Sequence, residues 1–216
     1  MHDNKLSVIL GLNGAGKSTL IKIITGNIKT EIHTKNTFKK VFYLPQNPYY
    51  PKGITSFDYL SSVFFKNNWK WFLSKEEKQK IIDVLEKIGL SDKKNINIEN
   101  LSGGEIQKLN IALGLLSGAD LFLLDEPSSN MDLINHIKIL KMLKSLTSQN
   151  ITSVIIMHDL NLALKYGDMF IGITKDKKIV QCGVKEFFRR ENLKRIFDID
   201  FKILEDGNNI YIQNID

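Results

Sequence analysis

The chain has 216 residues, a formal charge of +6 and a 43% hydrophobic composition, enough for one domain, or one domain with a small insert, around its own core. No apolar run approaches the ~20 residues of a membrane span, Met1-His2-Asp3-Asn4 starts no signal peptide, and the single cysteine, Cys182, excludes an intramolecular disulfide and fits the cytosol. The lysines are scattered, as on a solvated surface or one mildly attracted to anionic inner-leaflet lipid; a nucleic-acid face would need a denser basic stripe.

In chain order, Lys5 to Leu10 reads as a buried strand and Lys17 to Thr25 as a helix stopped by Gly26. Between them, Gly11-Leu12-Asn13-Gly14-Ala15-Gly16-Lys17-Ser18 has the spacing G-x-x-x-x-G-K-[ST]. Such a loop turns backbone N–H groups toward phosphates at a helix N-terminus, adds a lysine charge and offers a hydroxyl to Mg²⁺. Residues 47 to about 112 contain no convincing strand. Helices are expected there over Ser56 to Phe65 and after Ser74-Lys75-Glu76-Glu77, a capping box followed by Ile81, Leu85 and Ile88 before Gly89. Leu101-Ser102-Gly103-Gly104-Glu105 opens another apolar stretch, with Ser102 able to cap a helix.

Leu121 to Leu124 reads as a buried strand that delivers Asp125 and Glu126 at its C-terminal end. Asp132 to Ser148 forms an amphipathic pattern with Ile134, Ile137, Leu140 and Leu143 on one stripe. His158 ends the run Ile151 to Met157, Phe170 to Gly183 reads as a hairpin, and Val184 to Phe197 as short helices. Strands alternating with helices predict an α/β core with a largely parallel sheet.

Taken together, these motifs resemble the ATP-binding subunits of ABC transporters. The glycine loop is similar to Walker A, Leu101–Glu105 to the signature, Leu121–Glu126 to Walker B, Ser128-Ser129-Asn130-Met131-Asp132 to the D-loop, Gln46 to the Q-loop glutamine and His158 to the switch histidine. The resemblance implies a P-loop ATPase core (1–46 and 113–216), an inserted helical subdomain with the signature (47–112), and a reduced N-terminal antiparallel β-subdomain. It implies that Asn13, Gly14, Ala15, Gly16, Lys17, Ser18 and Thr19 hold ATP. Ser18, Gln46 and Asp125 would hold Mg²⁺. Glu126 would be the general base, with Gln46 near the attacking water and His158 on the γ-phosphate. Leu101, Ser102, Gly103, Gly104 and Glu105 would cap ATP held by a second copy, coupled through Asp132.

The implied partners are that second subunit and an integral membrane permease, on the cytoplasmic face of the cell membrane, with no nucleic acid. Tyr49, Tyr50, Trp69 and Trp71 would line either the permease groove or the helical core. The family carries an aromatic on strands before Walker A that stacks on adenine. Only ten residues precede Gly11 here, none aromatic. Loss of such stacking, worth ~0.5–1.5 kcal/mol, would weaken affinity several-fold to about tenfold. His158 to Asp168 and Phe187 to Asp200 are similar to importers of iron–siderophore, haem or cobalamin complexes. Zinc or manganese importers share part of this pattern. A nucleotide-binding module with little hydrolysis is a further alternative.

Overall fold

A computed structural model describes residues 4–28, 38–65, 72–127, 131–207 and 209–215. Two expectations lie outside them: the D-loop start at Ser128-Ser129-Asn130, and Trp69 and Trp71. Part of the shortened stretch between Gly26 and Gln46 lies outside them as well.

The first compact unit comprises residues 1–46, 120–127 and 140–216. Its sheet has the order β2 (Val41–Leu44), β3 (Leu121–Leu124), β4 (Thr152–Ile156), β1 (Leu6–Gly11), β5 (Met169–Ile173), β6 (Ile179–Cys182). Every pairing is parallel except β5 with β6, so the 170–183 hairpin forms as expected. β1 lies between β4 and β5 with all six residues buried, which is why it reads as a mostly apolar run, broken only by Ser7, without alternation.

Helix α1 (Lys17–Ile24) packs Ile21 into a core cluster with Ile9, Leu123, Val154 and Ile171. On the other side, α7 (Val184–Phe187) packs on β5 and α8 (Arg190–Phe197) on β1. There Phe170, Phe187 and Phe188 sit with ring centroids 4.7–5.2 Å apart. Gly172 makes room for this layer, because a Cβ there would lie 2.4 Å from Ile196 Cδ1.

The small antiparallel sheet of the described residues is C-terminal: β7 (Phe201–Asp206) pairs with β8 (Asn209–Asn214). It is joined to α6 (Leu160–Tyr166) by the Asn161 side chain. That amide donates to the Ile212 carbonyl (3.1 Å) and accepts from the Ile212 N–H (2.8 Å), acting as a one-residue strand. Asp159 caps α6 by accepting from Leu162 N–H.

The second unit comprises residues 47–119 and 128–139. Its helices are α2 (Ser56–Phe65), α3 (Lys75–Lys87) and α4 (Gly103–Leu116). The Ser74–Glu77 capping box is present, and α3 gives way to Gly89 at φ 68°. A boundary at 112/113 would cut α4 in mid-helix; the unit runs on to Ala119. Helix α5 (Leu133–Leu146) is shorter than expected, because its last turn tightens into a 3₁₀ turn at Thr147–Gln149. Its stripe also differs. Ile134 is 67% exposed, whereas burial follows Ile139, Leu140, Leu143 and Leu146. The helix passes from one unit to the other between Ile139 and Leu140, so no single stripe is buried along its length.

Candidate nucleotide site

The first unit holds a cleft of about 390 Å³ lined by Asn13, Gly14, Gly16, Lys17, Ser18, Thr19, Gln46, Glu126 and His158. Three strand ends build it: β1 runs into the glycine loop, β3 ends at Asp125 and Glu126, and His158 follows β4. All are carboxyl ends of parallel strands, where open α/β sheets place ligands. Gly14 (φ 78°) and Gly16 (φ 107°) take left-handed conformations that fold the loop over the start of α1. The Ala15 side chain is buried in the core cluster, so only its backbone is available to the loop's binding set.

Lys17 is only 5% exposed, and its Nζ donates to the carbonyls of Gly11 and Leu12, both at 3.0 Å. Burial lowers the pKa of this ammonium, while the charges of Glu126 and Asp125 act in the opposite direction. Ser18 Oγ donates to Asp125 Oδ1 at 2.9 Å. Asp125 is 3% exposed. Burial raises its pKa; the Ser18 bond opposes that rise and Glu126 adds to it. A serine hydroxyl and a carboxylate side by side are the hard-oxygen donors that Mg²⁺ takes, so these residues fit that ion.

Glu126 sits at φ 48°, a backbone region seldom used by residues other than glycine. One of its carboxylate oxygens accepts from Gln46 Nε2 at 2.8 Å, and the other lies 2.8 Å from His158 Nε2. The last residues of three chain segments therefore meet on one carboxylate. Sequence reading did not anticipate the environment of Asp125 beyond Ser18. Among the described residues the buried Tyr43 hydroxyl has no hydrogen-bond partner, and burial together with Asp125 raises its pKa. Its position on β2, three residues before Gln46, is the one available signal.

The signature residues lie in the helical unit. Ser102 and Glu105 form a capping box at the start of α4: Glu105 N–H donates to Ser102 Oγ (3.3 Å), and Ser102 N–H donates to Glu105 Oε2 (2.8 Å). That backbone donor is the main reason the Glu105 pKa is lowered. Leu101 is buried and Ser102 and Gly103 are exposed. Gly104 packs so closely on Asn135 that an added Cβ would lie 2.9 Å from Asn135 Cγ. Asp132 accepts from Asn135 N–H (2.7 Å) and Nδ2 (2.8 Å). Asn135 therefore links the signature to Asp132, a role with no motif to announce it.

Parallel sheet, glycine loop, paired carboxylates and capped signature helix define an ATP-binding cassette, the ATPase class of the P-loop fold. The family described as ABC transporter matches residues 1–129, and the chain belongs to it. It is 38% identical over 223 residues to an uncharacterized ABC transporter ATP-binding protein of Methanocaldococcus jannaschii, covering 96% of this chain and 82% of the relative. It is 32% identical over 217 residues to the iron(3+)-hydroxamate import ATP-binding protein of Bacillus subtilis, covering 94% and 81%. A solved chain of an ABC transporter in an inward-facing conformation superposes over all of this chain and 87% of its own. Its TM-score is 0.88 at 23% identity, a likeness of fold. Among the described residues, no helix is long and apolar enough to cross a membrane.

Proposed function

We propose that this chain is the energy-coupling subunit of an importer, turning over Mg-ATP as a head-to-tail dimer beneath a membrane permease, with an iron(III) chelate of the hydroxamate class as cargo. The observation that carries the ATPase reading is the Glu126 carboxylate, held by Gln46 and His158 at the mouth of the phosphate cleft. Support for the cargo comes from the Bacillus subtilis relative.

In this reading the amides of Asn13 to Ser18 and the Lys17 ammonium neutralise the phosphates. Ser18, Gln46 and Asp125 would hold Mg²⁺, which would supply charge neutralisation on the phosphate oxygens. Glu126 accepts the proton of the attacking water as general base, and His158 hydrogen-bonds the γ-phosphate. To take up these roles, Gln46 and His158 would have to give up their bonds to Glu126. Leu101 to Glu105 of one copy close over the ATP of the other, with Asp132 coupling the two sites. The higher affinity of the closed dimer for ATP is the free-energy difference that moves the permease. Tyr49, 86% exposed just beyond Gln46, belongs to the permease-facing surface on the cytoplasmic side.

The test is Mg-ATP hydrolysis as a function of protein concentration, with Glu126→Gln as control. Turnover rising faster than linearly and lost in the variant is expected. Linear turnover, or a variant that stays monomeric in Mg-ATP by light scattering, overturns the dimeric motor. Uptake of radiolabelled iron(III)-hydroxamate by cells carrying either form tests the cargo separately: equal uptake overturns the cargo alone.

A further inference from the structure

Asn110 lies two turns into α4 and is fully buried. Its Oδ1 accepts from the Tyr59 hydroxyl of α2 at 2.8 Å. Its Nδ2 donates to the Tyr50 hydroxyl at 2.7 Å and, more weakly, to Gln107 Oε1 at 3.3 Å. The Tyr50 and Tyr59 rings meet edge to face with centroids 6.0 Å apart. A leucine would join α2 to α4 with no polar group to satisfy. A buried amide instead demands that each partner be in place, and so specifies a single arrangement.

Only one of these partners is outside a helix. Tyr50 belongs to residues 47–52, which form neither helix nor strand and directly follow Gln46. Its neighbour Tyr49 is 86% exposed, so consecutive side chains of the segment serve opposite duties: one faces outward and one enters the node. Two turns before Asn110, α4 begins at the Ser102–Glu105 cap, and a helix of this length is stiff.

We propose that Asn110 is a positioning residue, tying the segment after Gln46 to the signature helix so that the two respond together when nucleotide engages the signature. The inference rests on the dimeric reading above.

The test is hydrogen exchange of residues 47–52 and 101–106 in full-length Glu126→Gln protein, with and without Mg-ATP, beside light scattering on the same samples. With the node intact, both segments should slow together by about tenfold or more. Tyr50→Phe keeps the ring and removes only the bond to the segment: residues 101–106 should still respond to ATP while 47–52 should not. Tyr59→Phe removes the other strong bond to the same amide, at similar cost to stability, and should leave both responses intact. A merely structural node would make the two variants alike, and that result overturns the proposal, as does a Tyr50→Phe chain whose segment 47–52 still responds. Failure of Mg-ATP to form a dimer in the parent overturns the functional reading and this proposal with it. A dimer that forms normally isolates the fault to Asn110.

Discussion

Gly104→Ala tests how the signature is held. A Cβ at Gly104 would lie 2.9 Å from Asn135 Cγ, 3.1 Å from its Cβ and 3.2 Å from its Nδ2. Carbon atoms pack at 3.5–4.0 Å, so Asn135 must retreat by about 0.6 Å. It cannot do so freely, because its Nδ2 and N–H both bond Asp132, at 2.8 and 2.7 Å. A retreat of that size stretches the Nδ2 bond beyond useful length and frees the Asp132 carboxylate. Overpacking of this kind costs about 1–3 kcal/mol, offset by about 1 kcal/mol from replacing glycine in a helix. The net loss of about 0–2 kcal/mol leaves a folded chain, with a melting midpoint lower by up to roughly 8 °C. Dimerisation should suffer much more than stability. In the Glu126→Gln background, the Mg-ATP dimer measured by light scattering should need at least tenfold more protein. Asn135→Ala, which frees Asp132 without adding a Cβ, should weaken the dimer in the same direction. Should Gly104→Ala dimerise and melt like its parent, Asn135 yields without cost and the reasoning is wrong.

Lys17→Ala removes a buried cation worth about 1.5–3 kcal/mol in charge-assisted hydrogen bonds, so calorimetry should show ATP affinity lower by roughly ten- to a hundredfold. Unchanged affinity would mean that the loop does not hold phosphate. Burial raises the Asp125 pKa above its ordinary 3.8, so the fold binds the proton more tightly than the unfolded chain does. Its stability contribution is therefore lost as pH rises from 3.8 through the folded-state value. Asp125→Asn keeps an acceptor for Ser18 and removes that penalty. Its urea midpoint should exceed that of the parent by an amount that grows with pH and then levels; a pH-independent gap would refute this. Gly172→Ala sets a Cβ 2.4 Å from Ile196 Cδ1 and 3.1 Å from Phe187 Cε2. The expected cost is about 1–3 kcal/mol in urea unfolding. Ile196→Val, which deletes Cδ1, should restore part of that loss, and no recovery would mean that the strain lies elsewhere.

The parts of the fold that could be read from sequence are those fixed by local chemistry. The glycine loop announces itself because few sequences tolerate φ 78° and φ 107° at that spacing, and the caps at Ser74 and Ser102 because a hydroxyl and a carboxylate three residues apart satisfy each other's backbone. The buried strands were visible because parallel pairing leaves no polar face. Tertiary choices were not visible. The α5 stripe looked continuous, yet Ile134 is exposed, since the helix is shared by two compact units. The β7–β8 hairpin was missed although Asp206-Gly207-Asn208 sits between alternating apolar residues, because it is attached by tertiary contacts to α6 and α8. Asn135 and Asn110 carry no pattern at all; their roles arise from helices brought together at long range.

The Asn161 clamp makes the β7–β8 hairpin a handle on the interior. Asn161 lies three residues after His158, and its amide is bonded on both sides to Ile212. Any displacement of the histidine that carries the start of α6 with it must drag the terminal hairpin or break that clamp. Gln213, exposed on the adjoining strand position, is thus a lever arm on which a fluorophore would register motion of His158 without entering the cleft. By the same mechanics, a rigid group attached to β8 would load His158, whereas one held through a flexible linker would not.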